Sequence, residues 1–85
     1  MANDDLTRRK IISSIEKSRA RLASLGVKSI GLFGSFVREQ AGRESDVDLL
    51  VEFDSGKKTY DNFIDTCFLL EELLGRKVNL LLRIR

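Results

Sequence analysis

Two aspartates set two residues apart are the residues of this 85-residue chain best placed to do chemistry. Asp46 and Asp48 stand at the start of an apolar run that reads as a β-strand. Side chains two apart on a strand share a face, so the two carboxylates would lie about 6–7 Å apart along it. Like charges at this spacing are unfavourable unless a cation lies between them, and Mg²⁺ takes hard oxygen ligands. The pair therefore predicts a magnesium site.

A Gly-Ser turn earlier in the chain could bind the phosphates that Mg²⁺ commonly accompanies. Gly34 and Ser35 follow the apolar run 27–33 and open a segment able to form a short helix. Backbone N–H groups and a hydroxyl would then converge on one point, as in known phosphate sites. The two segments together predict a magnesium-nucleotide site.

Each segment also has an ordinary structural interpretation. A Gly-Ser pair is commonly just a turn, and Asp-x-Asp at a strand entrance is commonly a solvated strand end. Arg38 could be a surface arginine, and Ser45 could simply cap or turn the chain. Ser35 and Ser45 are only ten positions apart. That spacing favours two adjacent strands that bring their ends to one pocket.

The order of these residues is similar to that of a known family. Gly34-Ser35, then Arg38, then Ser45-Asp46-Val47-Asp48 resembles the minimal nucleotidyltransferases of the DNA polymerase β-like superfamily. The resemblance is close over residues 30–53 and looser in the flanks. It implies that Gly34 and Ser35 hold the β- and γ-phosphates of ATP, with Arg38 and Ser45 nearby as further nucleotide-binding residues.

The same resemblance implies the metal chemistry, with one departure. Asp46 and Asp48 would hold two Mg²⁺ ions for in-line displacement at the α-phosphate. The family usually has a third carboxylate on the last strand, and the matching position here is Asn79. An asparagine can offer a neutral oxygen, but it can neither accept a proton nor supply charge. Asn79 is therefore expected in the catalytic cluster as a weaker third member.

Proteins of this family often act as antitoxins beside small helical HEPN ribonuclease toxins, so the resemblance implies a HEPN-like partner. One hypothesis is an enzyme that moves AMP from ATP to a hydroxyl, a tyrosine of that toxin. A second is a protein of the same fold that neutralises its partner by binding alone, which Asn79 favours. A third is a structural domain with a fortuitous motif. The identity of the neighbouring gene would best separate them.

The amino-acid composition argues against several kinds of site and several classes of protein. The chain has no histidine, which removes Ser-His and Cys-His relays and the common zinc sites. It has one cysteine, Cys67, no proline and no apolar leader, so we expect a cytoplasmic protein without disulfides or a membrane span, and a buried, inert Cys67. The net charge of +2 gives no strong nucleic-acid signal, although residues 1–28 carry seven Lys or Arg against three acids.

The periodicity of apolar residues predicts an α+β fold with the order α-β-α-β-α-β in a single domain, residues 1–85. We expect an amphipathic helix over 4–25, a strand over 27–33, a short helix over 35–40 and a loop over 41–44. A strand over 46–53, a helix capped by Thr59 or Asp61 and ended by Gly75, and a strand over 77–84 complete it. The first two strands could pair antiparallel and the last two parallel, in a small mixed sheet covered by helices mainly on one side. Leu50 is an apolar residue on the acidic face of the second strand, which indicates that this face of the sheet is also partly covered.

The printed sequence stops inside the last strand pattern. We therefore expect Leu80, Leu82 and Ile84 to form an apolar surface that a helical partner covers, and the chain alone to self-associate as a homo-oligomer.

Overall fold

The computed structural model describes residues 7–34 and 46–83. It contains three helices and three strands in these ranges. In chain order they are α1 (Arg8–Lys17), α2 (Arg19–Ser24), β1 (Val27–Phe33), β2 (Val47–Phe53), α3 (Tyr60–Leu74) and β3 (Val78–Leu82). The predicted helix over 35–40 and loop over 41–44 lie outside the described residues, as do Ser35, Arg38 and Ser45.

The sheet is mixed, as the pattern predicted. Its order is β1-β2-β3, with β1 antiparallel to β2 and β2 parallel to β3. Buried residues alternate along β2, because its odd-numbered positions face the helices and its even-numbered ones face away. The core combines that face of the sheet with the inner faces of the helices. Its fully buried side chains include Ile11, Val47, Leu49, Val51 and Leu70.

The N-terminal helical region is broken, whereas the sequence predicted one continuous helix. Thr7 caps α1 by accepting a hydrogen bond from the Lys10 N–H, and α1 ends at Ser18, whose N–H donates to the Ile15 carbonyl at 3.1 Å. Ser18 is buried and adopts φ −106° and ψ 20°, outside the helical region. A small polar residue thus occupies a core-facing position, and the chain turns there into α2.

The bounds of α3 follow its capping residues. Thr59 accepts a hydrogen bond from the Asn62 N–H at 3.1 Å, and Gly75 ends the helix at φ 64°. This left-handed conformation suits glycine because it has no Cβ. Both caps were predicted from the sequence.

The expectation about the last strand is wrong in detail. Leu80 lies beside Leu49 and Leu82 beside Val51 in the parallel register, so both pack against the core. Leu81 points to the opposite face and is 52% exposed. Side chains alternate between the two faces of a strand, so Leu81 faces away from the core when Leu80 and Leu82 face toward it. Ile84 lies outside the described residues.

The open face of the sheet carries Leu50, which is half-buried, together with Leu81 and Phe33. The described helices all pack on the other face. Across the two described ranges, no helix combines the length and the apolar character that crossing a bilayer would need.

Candidate active site

The predicted site residues in the described part of the chain meet at one end of the sheet. Asp46 immediately precedes β2, Asp48 is the second residue of that strand, and both are half-exposed. In the parallel register Asp48 lies beside Asn79 of β3, and in the antiparallel register it lies beside Phe33 of β1. The mixed sheet therefore brings one residue from each of its three strands to the same end of the sheet.

Asn79 joins the two carboxylates. Its side-chain Nδ2 donates to Asp48 Oδ1 at 3.0 Å and to Asp46 Oδ2 at 3.4 Å. One neutral donor thus faces two negative groups, which it can orient but not neutralise. The position between them suits a positive charge, because each carboxylate oxygen there is free to accept more than one contact.

Gly34 lies against the same cluster. It has φ 81°, and a Cβ built at this position would overlap the Asp48 carboxylate. The family resemblance implies that Gly34 helps to hold the phosphates of the nucleotide. In the structure the carboxylate of Asp48 occupies the space that a Cβ at Gly34 would fill. A glycine is therefore required both by the backbone conformation and by the close approach of β1 to β2.

The donor set fits Mg²⁺. Asp46 and Asp48 offer carboxylate oxygens, and the Asn79 amide can turn about its last torsion to present its oxygen in place of Nδ2. Hard oxygen ligands supplied by one or two carboxylates, with waters and phosphates completing the shell, are typical of this ion. Within residues 7–34 and 46–83, no group of three or more His, Cys, Asp or Glu side chains could hold a metal. The cluster therefore carries two formal charges, not three.

A groove that the sequence did not predict runs beside the cluster. It has a volume of about 570 Å³, and Phe33, Phe63 and Leu81 form apolar parts of its wall next to Asp48 and Asn79. Phe53, at the other end of β2, is buried in the core and does not reach this groove. Phe33 could have been found from the sequence, because it directly precedes Gly34 at the end of β1.

Cys67 also lines this groove, and it is half-buried, not fully buried as expected. Its Sγ lies 4.0 Å from the Val78 carbonyl oxygen. Partial burial raises the pKa of the thiol, and the nearby carboxylate of Glu71 adds to the rise. The thiol is therefore held in its protonated form, which fits the expectation of an inert cysteine.

Comparisons with known proteins agree with this geometry. Residues 12–85 match the model of the nucleotidyltransferase domain family. The chain is 45% identical over 58 residues to the protein adenylyltransferase MntA of Thermococcus cleftensis, covering 68% of this chain and 58% of that protein. It is 43% identical over 56 residues to a protein of Methanocaldococcus jannaschii described as a protein adenylyltransferase, covering 65% of this chain and 56% of the other.

A solved structure described as a minimal nucleotidyltransferase superposes with a TM-score of 0.76 at 29% identity, covering 93% of this chain and 80% of that one. The chain spans less than three fifths of the length of the two curated relatives. The family match, however, includes β1, β2, α3 and β3 and every described site residue. The chain therefore belongs to the nucleotidyltransferase domain family, as a minimal nucleotidyltransferase of the DNA polymerase β-like superfamily.

Proposed function

We propose that this chain is a magnesium-dependent nucleotidyltransferase that moves AMP from ATP to a hydroxyl group of a protein. The observation that carries the proposal is the meeting of Asp46, Asp48 and Asn79 beside a glycine that allows close backbone approach. The relatives named as protein adenylyltransferases support a protein as the acceptor. As an antitoxin of the HEPN-associated type, the chain would modify a tyrosine of its helical partner.

Asp46 and Asp48 would hold Mg²⁺, and we expect two ions, one of which would arrive with the nucleotide. The metal would stabilise the charge of the triphosphate and of the leaving pyrophosphate. Asn79 positions the two carboxylates through its amide. Gly34, with Ser35, Arg38 and Ser45 as further predicted contacts, holds the phosphates.

The reaction is a displacement at phosphorus. The acceptor oxygen forms a bond to the α-phosphorus while the bond from that phosphorus to the bridging oxygen of the β-phosphate breaks. AMP stays on the acceptor and pyrophosphate leaves. The hydroxyl proton passes to water or to a carboxylate of the pair, so that the charges balance. The groove walls at Phe33 and Phe63 offer apolar surface for a flat ring beside this point.

A second candidate function is inhibition of the partner by binding alone. The specific observation in its favour is the neutral amide of Asn79 beside Asp48. The resemblance implies that the family usually has a carboxylate at this position. A pair of aspartates bridged by an amide is held in place without any metal, so the fold can be maintained after the chemistry is lost.

The transfer experiment separates the two candidates. The chain is incubated with ATP labelled at the α-phosphate, Mg²⁺ and a HEPN-like helical protein encoded beside it. The proposal expects covalent label on one tyrosine of that protein, lost when the tyrosine is replaced by phenylalanine and when Asp48 is replaced by alanine. Replacing Glu52, a carboxylate on the same strand face outside the cluster, is the matched control and should leave labelling intact. A stable complex without label would support binding alone, and neither label nor complex would contradict both candidates.

A further inference from the structure

A second groove lies between α2 and α3, and none of its lining residues belongs to the groove beside Asp48. Its volume is about 370 Å³, and Phe68 stands at its wall with 64% of its surface exposed. Thr66 and Leu70 of α3 are fully buried and lie outside this groove, whereas the buried Leu69 lines it beside Phe68. Since successive helical residues turn by about 100°, Phe68 projects from the centre of the solvent side of α3. A single exposed apolar side chain is normal on a protein surface, so the groove is a candidate contact surface only in combination with its charges.

The two walls of this α2–α3 groove carry opposite charges. Arg21 lies on the α2 wall, and Asp65 and Glu72 lie on the α3 wall. Among the residues that the structure describes, no ion pair within 4.0 Å joins Arg21 to either acid. The wider surface is divided in the same way, because α1 and α2 carry six Lys or Arg and one acid, whereas α3 carries four acids and no base.

We infer that a second copy of this chain occupies the α2–α3 groove in a two-fold symmetric dimer. A two-fold axis along the groove would bring the α2 wall of each copy opposite the α3 wall of the other. Arg21 would then face the partner's Asp65 and the partner's Glu72, and the same contact would occur twice. A basic or an acidic partner of another kind would satisfy one wall and repel the other, so the paired walls favour a copy of the same chain.

The size of the chain is consistent with such a dimer. Specific interfaces at the small end of the range bury about 600 Å² on each partner, which is about a tenth of the 5905 Å² accessible surface here. Phe68 would form the apolar centre of the contact, and the charged residues would form its rim. The inference is independent of nucleotide transfer and uses no residue of the active-site cluster.

The first test is sedimentation of the 85-residue chain over a range of concentrations. We expect a reversible monomer-dimer equilibrium. Phe68→Ser should raise the dimer Kd by at least about tenfold, as removal of a central aromatic anchor usually does. The matched control is Tyr60→Ser, which removes another exposed aromatic of α3, 77% exposed and outside the groove, and should leave the Kd unchanged. A wild-type chain that stays monomeric at every concentration overturns the inference and leaves the groove to another protein.

A charge exchange tests the symmetry directly. Arg21→Glu alone and the double variant Asp65→Lys, Glu72→Lys alone should each be monomeric, because like charges then face each other. Mixed together, the two variants should form a heterodimer, because each wall again meets its opposite. Arg19→Glu is the control for the first variant, since Arg19 is on the same helix with its side chain 84% exposed and lies outside the groove. Circular dichroism identifies the variants that fold. Folded variants that dimerise alone, or that fail to pair when mixed, contradict the proposed interface.

Discussion

The two ends of one strand face show what distinguishes a structural carboxylate from a candidate catalytic one. Asp48 and Glu52 both point to the open face of β2, four residues apart. Glu52 has a cation and a hydroxyl beside it, with Lys28 Nζ at 3.9 Å and Ser29 Oγ donating at 3.4 Å. Asp48 shares one amide donor with a second carboxylate and contacts the backbone of a glycine.

The difference lies in charge balance. At the Glu52 end the protein supplies its own counter-charge, so nothing further is needed there. At the Asp48 end, among the residues that the structure describes, two negative charges meet a neutral donor, and a bound cation would balance them. The contrast supports a metal site at the Asp48 end and a structural role for Glu52. Three predictions test this contrast, and a fourth concerns Cys67 in the adjoining groove.

The largest effect should come from the aspartate pair. Mg²⁺ and ATP together should raise the Tm of the chain, because a ligand that binds only the folded state stabilises it, by about 2.7 kcal/mol at 100 times Kd. For a domain of this size each kcal/mol corresponds to about 4–8 °C. The double variant Asp46→Ala, Asp48→Ala should lose the shift entirely, as measured by calorimetry. Glu52→Ala should keep it, and a double variant that still responds like the parent would rule out the pair as the metal site.

The next effect concerns Asn79. Asn79→Asp would place a third charge beside Asp48 and so restore the ligand type that the family usually has. A preorganised electrostatic contact at a transition state is commonly worth about 10²–10³ in rate, so transfer of label from ATP should increase at least about tenfold. In a chain that already carries Asp48→Ala, the same change should give no gain. An unchanged or lower rate for Asn79→Asp alone would favour inhibition by binding.

A smaller effect is expected at Gly34, for which the chain offers a close control. Gly34 and Gly56 both have φ 81°, but a Cβ meets the Asp48 carboxylate at Gly34 and nothing within 4 Å at Gly56. Each substitution by alanine should lower the free energy of unfolding by about 1–2 kcal/mol for the left-handed backbone. Gly34→Ala should cost more and should also weaken the Mg-ATP shift, whereas Gly56→Ala should not. Equal losses of stability with equal nucleotide responses would show that Gly34 does not support the site.

The smallest effect concerns Cys67. Because burial and the nearby carboxylate of Glu71 raise the pKa of the Cys67 thiol, the folded chain should react with iodoacetamide more slowly than the urea-unfolded chain at alkaline pH. Because the folded-state pKa is raised, Cys67 should also make the stability of the fold depend on pH. Its contribution to the free energy of unfolding is fully present below the unfolded pKa and is lost as the pH rises through the folded pKa. Glu71→Gln should speed alkylation slightly. Equal alkylation rates in the folded and unfolded chains would contradict the protection of Cys67 by partial burial.

Local signals in the sequence predicted much of the fold, and packing decided the rest. Thr59 and Gly75 marked the ends of α3 because capping depends on the residue type itself. The break at Ser18 was missed, since apolar periodicity continues through it and only the burial of that position reveals the turn. Leu81 was missed as the exposed leucine because a run of three leucines carries no period from which to choose the inward face.

The active-site cluster also has features that the sequence predicted and features that depend on packing. Asp46 and Asp48 could be found from their spacing, and Asn79 from the family resemblance. The bridging hydrogen bonds and the contact between Gly34 and Asp48 depend on strand register, which one sequence does not specify. The predicted contacts at Ser35, Arg38 and Ser45 lie outside the described residues and remain predictions.

The most direct test of the account is to find out where on the sheet a divalent metal ion binds. Mn²⁺ accepts the same oxygen ligands as Mg²⁺ and broadens the NMR signals of nearby nuclei. With ATP present, substoichiometric Mn²⁺ should broaden the amide signals of Gly34, Asp48 and Asn79 more strongly than those of Ser29 and Glu52, since Glu52 lies about 13 Å from Asp48 along the strand. The double variant Asp46→Ala, Asp48→Ala should show no such gradient. Broadening centred on Glu52, or broadening at Asp48 that persists in the double variant, would contradict the account.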